Sequence, residues 1–238
     1  MRAHEIINEA ISRRSFLGGL AGVGAGAAGV SSLTKKPEQP SPVQAQPAPA
    51  KTLPLLSNHP NESVILKTAL KAGIQGPELA QFMAQTKHES WNFAKLKEKA
   101  QPGVNNYYTK KYDIRYSPQT AKILGNRYPG DGDKYHGRGF IQLTGRDNYL
   151  RAGNALGIMF VNPDPRNKQQ EAMAEQNRER IETDPILAAQ VTVWYWMTRV
   201  RPYVENFMDT RAVTRRINPA GKGLQDRHEN FQDYMRNI

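Results

Sequence analysis

Two carboxylates, Glu89 and Glu98, stand nine residues apart in the segment Ala84–Glu98, AQTKHESWNFAKLKE. A carboxyl pair can supply a general acid and a general base if both groups face one substrate. On one unbroken helix, nine residues make about two and a half turns, so the two side chains would point to opposite sides. The helix must therefore stop between them. The sequence predicts this stop at Trp91-Asn92, because neither residue is a strong helix former and Asn tolerates a left-handed cap.

The helix that would carry Glu89 begins at Gly76-Pro77, since proline favours the first turn of a helix. Its apolar spacing predicts a buried stripe that Glu89 continues at the end of the helix. Lost hydration there would favour the protonated form that a general acid needs. A structural alternative stays open, in which Glu89 is a buried acid paired with His88 or with an arginine. The predicted stripe consists of Leu79, Phe82, Met83 and Thr86.

A glycine-rich segment, Pro129–Tyr149, offers neutral polar groups to the same chemistry. Its glycines allow tight turns and close approach to a ligand, but their intervals do not match a nucleotide-binding fingerprint. Phe140–Thr144 is predicted as a short extended run with Gln142 and Thr144 on one face. Asp147 is predicted to cap a helix that ends at Gly157.

The rest of the chain supplies the elements that must position these groups. Helical signals recur while strand signals are few and short, so the domain is predicted to be mainly α. Thr183-Asp184-Pro185 begins an apolar helix that we expect to be the core, whereas Gln169–Glu182 is charged on nearly all sides and is predicted to be peripheral. Further helices are predicted over Val64–Leu70, Pro118–Leu124, Asp209–Asn218 and Leu224–Asn237.

Length and composition divide the 238 residues into one folded domain and an N-terminal extension. Residues 1–34 are interpreted as an export signal or weak membrane anchor, 35–57 as a Pro/Ala-rich linker, and 58–238 as the catalytic domain. The net charge of +11 predicts an anionic partner, and the absence of cysteine excludes disulfides and thiolate metal sites.

The N-terminus carries paired arginines, Arg13-Arg14, directly before a Gly/Ala-rich apolar run. This pattern is typical of a twin-arginine export signal, with cleavage expected near Ala45. The run of about 18 residues could also form a releasable membrane anchor with transient membrane contact. A tail with a chance arginine pair, as in a phage-associated protein, is the third interpretation.

Four motifs, in order and at compatible spacing, resemble glycoside hydrolase family 19, and within it the compact bacterial and phage members. They are HES at His88–Ser90, the second Glu at position 98, GRGFIQLTGRDNY at Gly137–Tyr149, and VTRRIN at Val213–Asn218. The resemblance implies a lysozyme-like α+β domain with many helices, a minor short β element, and a cleft between two lobes.

The resemblance also implies roles for individual residues. Glu89 matches the family's general acid, Glu98 its general base, and Thr144 a residue that helps hold the attacking water. Substrate-binding positions are matched by His88, Tyr135, Arg138, Gln142, Asn148, Asn218 and Arg227, with Tyr135 and Arg138 at the cleft wall and Arg227 in electrostatic support. No cofactor is implied, and no metal is expected.

Two departures from the family pattern lie beside these positions. Trp91-Asn92 and Pro219-Ala220 stand where many relatives have Gly-Gly. An indole beside the acid would alter the cleft, and Pro219 fixes the backbone next to Asn218.

The combined pattern predicts an inverting hydrolase of β-1,4 glycosidic bonds, with peptidoglycan as the expected polysaccharide substrate and chitin or chitooligosaccharides as the alternative. A non-catalytic cell-wall-binding or virion protein is the second alternative. We expect a monomer, exported to the periplasm or beyond. No nucleic-acid recognition motif is found, so nucleic acid is not an expected partner.

Overall fold

A computed structural model of the chain describes residues 56–237. Within this range the regular secondary structure is helical, and the β structure consists of two isolated bridges, Lys97 to Arg138 and Arg138 to Leu143. The predicted mainly helical class with a minor β element is confirmed. The predicted signal or anchor and most of the predicted linker lie outside the described residues. No helix within residues 56–237 has the length and apolar character needed to cross a membrane.

The helices are named here in chain order. They are α1 (Pro60–Lys71), α2 (Gly76–Glu89), α3 (Tyr107–Tyr112), α4 (Pro118–Leu124), α5 (Asp131–Lys134), α6 (Arg146–Leu156), α7 (Lys168–Thr183), α8 (Pro185–Tyr195), α9 (Thr210–Ile217) and α10 (Leu224–Met235).

The helix ends follow signals that the sequence carries. Gly125 and Gly157 close α4 and α6 in the left-handed conformation, with φ of 69° and 68°, as the sequence predicts. The Asp184 side chain caps α8 by accepting hydrogen bonds from the backbone N–H groups of Ile186 and Leu187. These caps satisfy backbone groups that a helix end would otherwise leave unpaired.

The predicted core helix is α8, and every side chain from Leu187 to Val193 is buried. It packs against α1, α6 and α7. Its end continues into a π-helical turn, Trp196–Val200, which carries the buried Trp196 against Phe82 of α2 with ring centroids 5.2 Å apart. The core therefore fixes α2, the helix that ends at Glu89.

Three local predictions are wrong. Asp147 does not cap α6, because the helix begins at Arg146 with Gly145 as its N-cap, and the Asp147 carboxylate instead pairs with Arg127 at 2.7 Å. The helix α7 is not peripheral, because Ala174, Arg178 and Ile181 are buried in it.

Phe140–Thr144 is not extended: it begins with a turn between the bridge partners Arg138 and Leu143, whose backbones exchange hydrogen bonds of 3.2 and 2.8 Å. The backbone turns here because Gly139 and Gln142 adopt positive φ values of 73° and 52°, which an extended strand does not contain.

Candidate active site

The break between the two carboxylates is confirmed. Helix α2 ends at Glu89, and Trp91, Asn92 and Phe93 follow with positive φ values of 51°, 60° and 64°. Three consecutive non-glycine residues in this region carry strain, which the surroundings must offset. Ser90 does part of this, because its Oγ accepts from the Phe93 N–H at 3.1 Å and donates to the Thr86 carbonyl at 2.6 Å.

Glu89 is held from the side of α10. Its Oε1 accepts a hydrogen bond from Nη2 of Arg227, whose side chain is only 1% exposed, while Nη1 of the same guanidinium donates to Gln85 Oε1 at 2.6 Å. The structural alternative of an arginine partner is thus present, and the partner is Arg227. The other oxygen, Oε2, forms no hydrogen bond with residues 56–237, and the Glu89 side chain is 19% exposed. One carboxylate oxygen therefore remains available to a substrate.

A ladder of buried amides and hydroxyls extends behind this ion pair. Gln85 Nε2 donates to Thr214 Oγ1 at 3.0 Å, and Gln81 Nε2 donates to Thr210 Oγ1 at 2.9 Å. The prediction of a simple apolar stripe beneath Glu89 is therefore incomplete, since Gln81 and Gln85 are both fully buried. Gln81, Gln85 and Glu89 follow one another at intervals of four residues, and this spacing is the sequence signal that marks the polar face of the helix.

Glu98 is surrounded by donors from a different part of the chain. Its Oε1 accepts from Tyr112 and Lys111, each at 2.8 Å, and its Oε2 accepts from the Gly137 N–H at 3.0 Å. Although burial alone would lower the pKa of Lys111, its hydrogen bond to Glu98 raises that pKa. Burial and the Glu98 charge raise the pKa of Tyr112. Both neighbours thus keep the proton that they donate to the carboxylate.

Gly137 also brings Gln142 to Glu98. A Cβ atom on Gly137 would lie 3.0 Å from Gln142 Oε1 and 3.1 Å from Glu98 Oε2, so the amide and the carboxylate are neighbours. Gln142 has φ of 52° and donates from Nε2 to the Gly139 carbonyl at 3.0 Å. Thr144 donates its hydroxyl proton to the Gln142 carbonyl at 2.8 Å, which leaves its oxygen lone pairs free to accept.

Asn148 and the π-helical turn connect this region with Glu89. Asn148 Nδ2 donates to the Thr144 carbonyl at 2.8 Å, and its Oδ1 accepts from Arg199 at 3.3 Å. Burial raises the pKa of Tyr195; the Arg199 charge opposes this shift and the Glu89 charge adds to it. Arg199 therefore contacts Asn148, and Tyr195 lies within reach of the charges of both Arg199 and Glu89. The sequence-based prediction gave neither residue a place in the site.

His88 faces the start of α10. Its Nδ1 lies 2.5 Å from Asp226 Oδ2, and its ring lies directly over Gly223, where a Cβ would be 2.2 Å from the imidazole. The close approach therefore requires glycine at position 223. Asp226 has no place in the sequence-based prediction.

Tyr135 and Arg138 differ from their predicted position at the cleft wall. Tyr135 is 1% exposed and accepts from Arg146 at 3.1 Å, and Arg138 is 6% exposed with its Nε 2.6 Å from Glu182 Oε1. Both side chains thus support the framework from inside. The reason is Glu182, an anion at the end of α7 that draws in Arg138, and also Lys97 at 2.8 Å.

Glu182 is the charged centre of this framework. Burial acts to raise its pKa, but hydrogen bonds from His136 and Lys97 and the charge of Arg138 lower it to about 2. Because Lys97 precedes Glu98 in the chain, the Glu182 ion pair fixes the backbone that presents Glu98.

Asn218 caps α9, and its Oδ1 accepts from the Ala220 N–H at 3.2 Å. It makes no hydrogen bond to the other predicted site residues within 56–237. Among the same residues, no group of three or more His, Cys, Asp or Glu side chains is arranged to hold a metal ion.

A helical domain that presents one carboxylate with a free oxygen and a second carboxylate ringed by donors has the parts of an acid/base glycoside hydrolase. Comparison with known proteins agrees. The family profile described as Chitinase class I matches residues 65–211. The chain is 30% identical to a glycosyl hydrolase family 19 domain-containing protein of Haemophilus influenzae, over 69% of this chain and 82% of that protein.

A basic endochitinase of Vitis vinifera is 29% identical over 52% of this chain, which spans only 35% of that plant protein. A crystal structure of a bacterial family 19 chitinase superposes with a TM-score of 0.50 at 22% identity, covering 76% of this chain and 85% of that one, and it supports the fold. The chain belongs to glycoside hydrolase family 19.

Proposed function

We propose that the protein hydrolyses β-1,4 glycosidic bonds in the glycan strands of peptidoglycan by an inverting mechanism with Glu89 as general acid and Glu98 as general base. The observation that carries this proposal is that the two carboxylates accept different numbers of hydrogen bonds. Glu89 Oε2 has no hydrogen-bond partner among residues 56–237, whereas Glu98 is oriented by three donors.

In the proposed reaction, Glu89 gives its proton from Oε2 to the glycosidic oxygen as the bond to the leaving sugar breaks. A carboxylate has about four lone-pair sites, and three of those on Glu98 are filled, so one remains for a water. Glu98 takes a proton from that water as its oxygen bonds to the anomeric carbon. Thr144, whose own proton is committed to the Gln142 carbonyl, can accept the second water proton in a hydrogen bond. Inversion follows because the water attacks the face opposite the leaving group.

Charge supports peptidoglycan as the substrate. The chain carries a net charge of +11, and peptidoglycan bears lactyl-peptide carboxylates and often lies beside anionic polymers. Chitin is the second candidate, because it shares the β-1,4-linked N-acetylated sugars and because the similar plant proteins are endochitinases.

Delivery to the cell wall would follow from export through the predicted twin-arginine signal at Arg13-Arg14. In a cell-fractionation assay, we expect an Arg13→Lys/Arg14→Lys variant to remain in the cytoplasm.

The test is mass spectrometry of fragments released from reduced peptidoglycan and, in parallel, from chitin. We expect the parent to create new reducing ends in peptidoglycan and Glu89→Gln to lose at least about 100-fold in rate. Glu175→Gln, the same chemical change at an exposed position of α7, is the matched control. Release from chitin alone would favour the second candidate. Retention on cell walls without turnover by the parent would instead identify a binding protein.

A further inference from the structure

An open surface pocket of about 470 Å³ lies beside Glu89, and neither Glu89 nor Glu98 lines it. Three elements line it: the last turn of α2, the left-handed turn after it, and the first two turns of α10. Its volume is within the range of about 300 to 1,000 Å³ typical of small-molecule sites. The lining residues are Lys87, His88, Trp91, Asn92, Asp226 and Asn230.

Trp91 is the apolar wall of this pocket. Its side chain is 69% exposed although its backbone has φ of 51°, a strained conformation for a bulky residue. The Lys95 ammonium lies 3.0 Å from the centroid of the indole and covers one face of the ring. The backbone strain at Trp91 thus accompanies an exposed aromatic ring, and strained residues of this kind are often found at ligand-binding sites. The C–H face of a pyranose sugar is an apolar surface that stacks on such a ring.

The opposite side of the pocket is polar and ordered. Asp226 accepts through Oδ2 from Asn230 at 3.1 Å and pairs with His88 through the same oxygen, while its Oδ1 has no hydrogen bond within residues 56–237. The Asp226 side chain is 59% exposed, so this free oxygen can accept from a sugar hydroxyl. The Lys87 ammonium forms no ion pair within the described part of the chain, and it adds a positive charge to the wall.

We propose that this pocket is a sugar-binding subsite next to the catalytic acid. Trp91 stacks on the pyranose ring, Asp226 binds a hydroxyl, and Lys87 binds a carboxylate substituent on the sugar, such as the lactyl group of muramic acid. The choice of substrate class rests on the function proposed above. The subsite gives that function a chemical means of preferring peptidoglycan to chitin.

Binding measurements on a Glu89→Gln background test the subsite without turnover. The two probes are chitotetraose, which is neutral, and a tetrasaccharide of alternating N-acetylglucosamine and N-acetylmuramic acid. Because asparagine tolerates positive φ, Trp91→Asn should fold, and we expect it to weaken the binding of both probes about tenfold in calorimetric titrations. Trp91→Phe should retain binding within about threefold. Lys87→Gln should weaken only the muramic-acid probe, by about three- to fivefold.

Tyr203→Asn and Lys122→Gln are matched controls at exposed positions that do not line the pocket. Unchanged binding of both probes by Trp91→Asn would overturn the subsite, and an equal loss of both probes in Lys87→Gln would overturn the carboxylate contact. A different result would contradict the proposed function alone: the parent would not cleave peptidoglycan strands, although Trp91→Asn would still weaken binding.

Discussion

Glu89 and Glu98 are held in two different ways. Glu89 ends a long helix, and its partner Arg227 is buried between α2 and α10, where Gln85 also binds it. Glu98 follows an isolated β-bridge and is held by Lys111 and Tyr112 of a six-residue helix and by a loop N–H group. The first carboxylate depends on the packed core and the second on irregular structure.

Because of this difference, changes beside the two carboxylates should affect the free energy of unfolding and the catalytic rate to different extents. A change beside Glu89 disturbs buried groups shared by α2, α9 and α10, so it should lower both the free energy of unfolding and the rate. A change beside Glu98 that removes no buried ion pair, such as one at Gly137, only displaces the carboxylate, so it should lower the rate more than the stability. Arg227→Met and Gly137→Ala test this separation of stability from rate directly, whereas Glu182→Gln and Asn92→Gly test what stabilises the framework behind Glu98 and the turn between the two carboxylates.

Arg227→Met should have the largest effect. It leaves Gln85 Oε1 and Glu89 Oε1 without their buried donor, and removing one partner of a buried ion pair costs about 3 kcal/mol. We expect Tm to fall by about 6 to 12 °C and kcat by about 100-fold. Thermal unfolding and steady-state kinetics measure both. Arg211→Met, an exposed arginine of α9, is the control, and an unchanged kcat in Arg227→Met would show that the ion pair does not position the acid.

Glu182→Gln should lower stability through the framework behind Glu98, by about 2 kcal/mol because Lys97 is partly exposed. The lowered pKa also predicts a pH dependence. A carboxyl group with a folded-state pKa of about 2 and an unfolded value of 4.5 stabilises the protein fully above pH 4.5. That stability is lost as the pH falls toward 2. The free energy of unfolding, measured in urea at several pH values, should fall with pH in the parent. This fall should be absent in Glu182→Gln.

Gly137→Ala should affect the rate with little effect on stability. The added Cβ would lie 3.0 to 3.3 Å from Gln142 and Glu98, so the carboxylate must shift by a few tenths of an ångström. We expect kcat to fall about tenfold, since small displacements of reacting groups are costly, while Tm changes by less than about 3 °C. Gly103→Ala is a contrasting control, because a Cβ there meets no atom but the φ of 78° strains alanine, so it should lower Tm and leave kcat unchanged. A fall in the Tm of Gly137→Ala as large as that of Arg227→Met would contradict the separation.

Asn92→Gly should have the smallest effect. Glycine adopts the φ of 60° without strain, so the turn between the two carboxylates should gain up to about 1 kcal/mol. The expected rise in Tm is about 2 to 4 °C, measured by calorimetry. A fall in Tm would mean that the Asn92 side chain stabilises the turn by more than the backbone strain costs.

Much of the fold could be predicted because its signals are local. Pro118 to Gly125 and Asp184-Pro185 carry start and stop residues, and the structure places helix ends at those positions. The continuous apolar character of the stretch after Pro185 marked the buried helix. The break after Glu89 was predictable from the need for two carboxylates to face one substrate.

The environments of the carboxylates could not be predicted in the same way. The Arg227 to Gln85 hydrogen bond joins residues 142 positions apart, and nothing near either residue indicates the pairing. Tyr135 and Arg138 were predicted at the surface of the cleft, but Glu182, far along the chain, draws Arg138 inward. Alternation suggested an extended strand at Phe140–Thr144, but Gln142 adopts a positive φ, and the Gly139 N–H just before this segment bonds to the carbonyl of the distant Leu96.

The assignment of Glu89 as acid and Glu98 as base is tested most directly by varying the leaving group. A 2,4-dinitrophenyl glycoside of a chitooligosaccharide needs no protonation of its leaving oxygen, whereas a natural glycan does. We expect Glu89→Gln to lose at least about 100-fold in kcat/KM on the natural glycan but about tenfold or less on the activated substrate. Glu98→Gln should lose similar factors on both. Equal losses in Glu89→Gln, or recovery on the activated substrate in Glu98→Gln, would contradict the assignment.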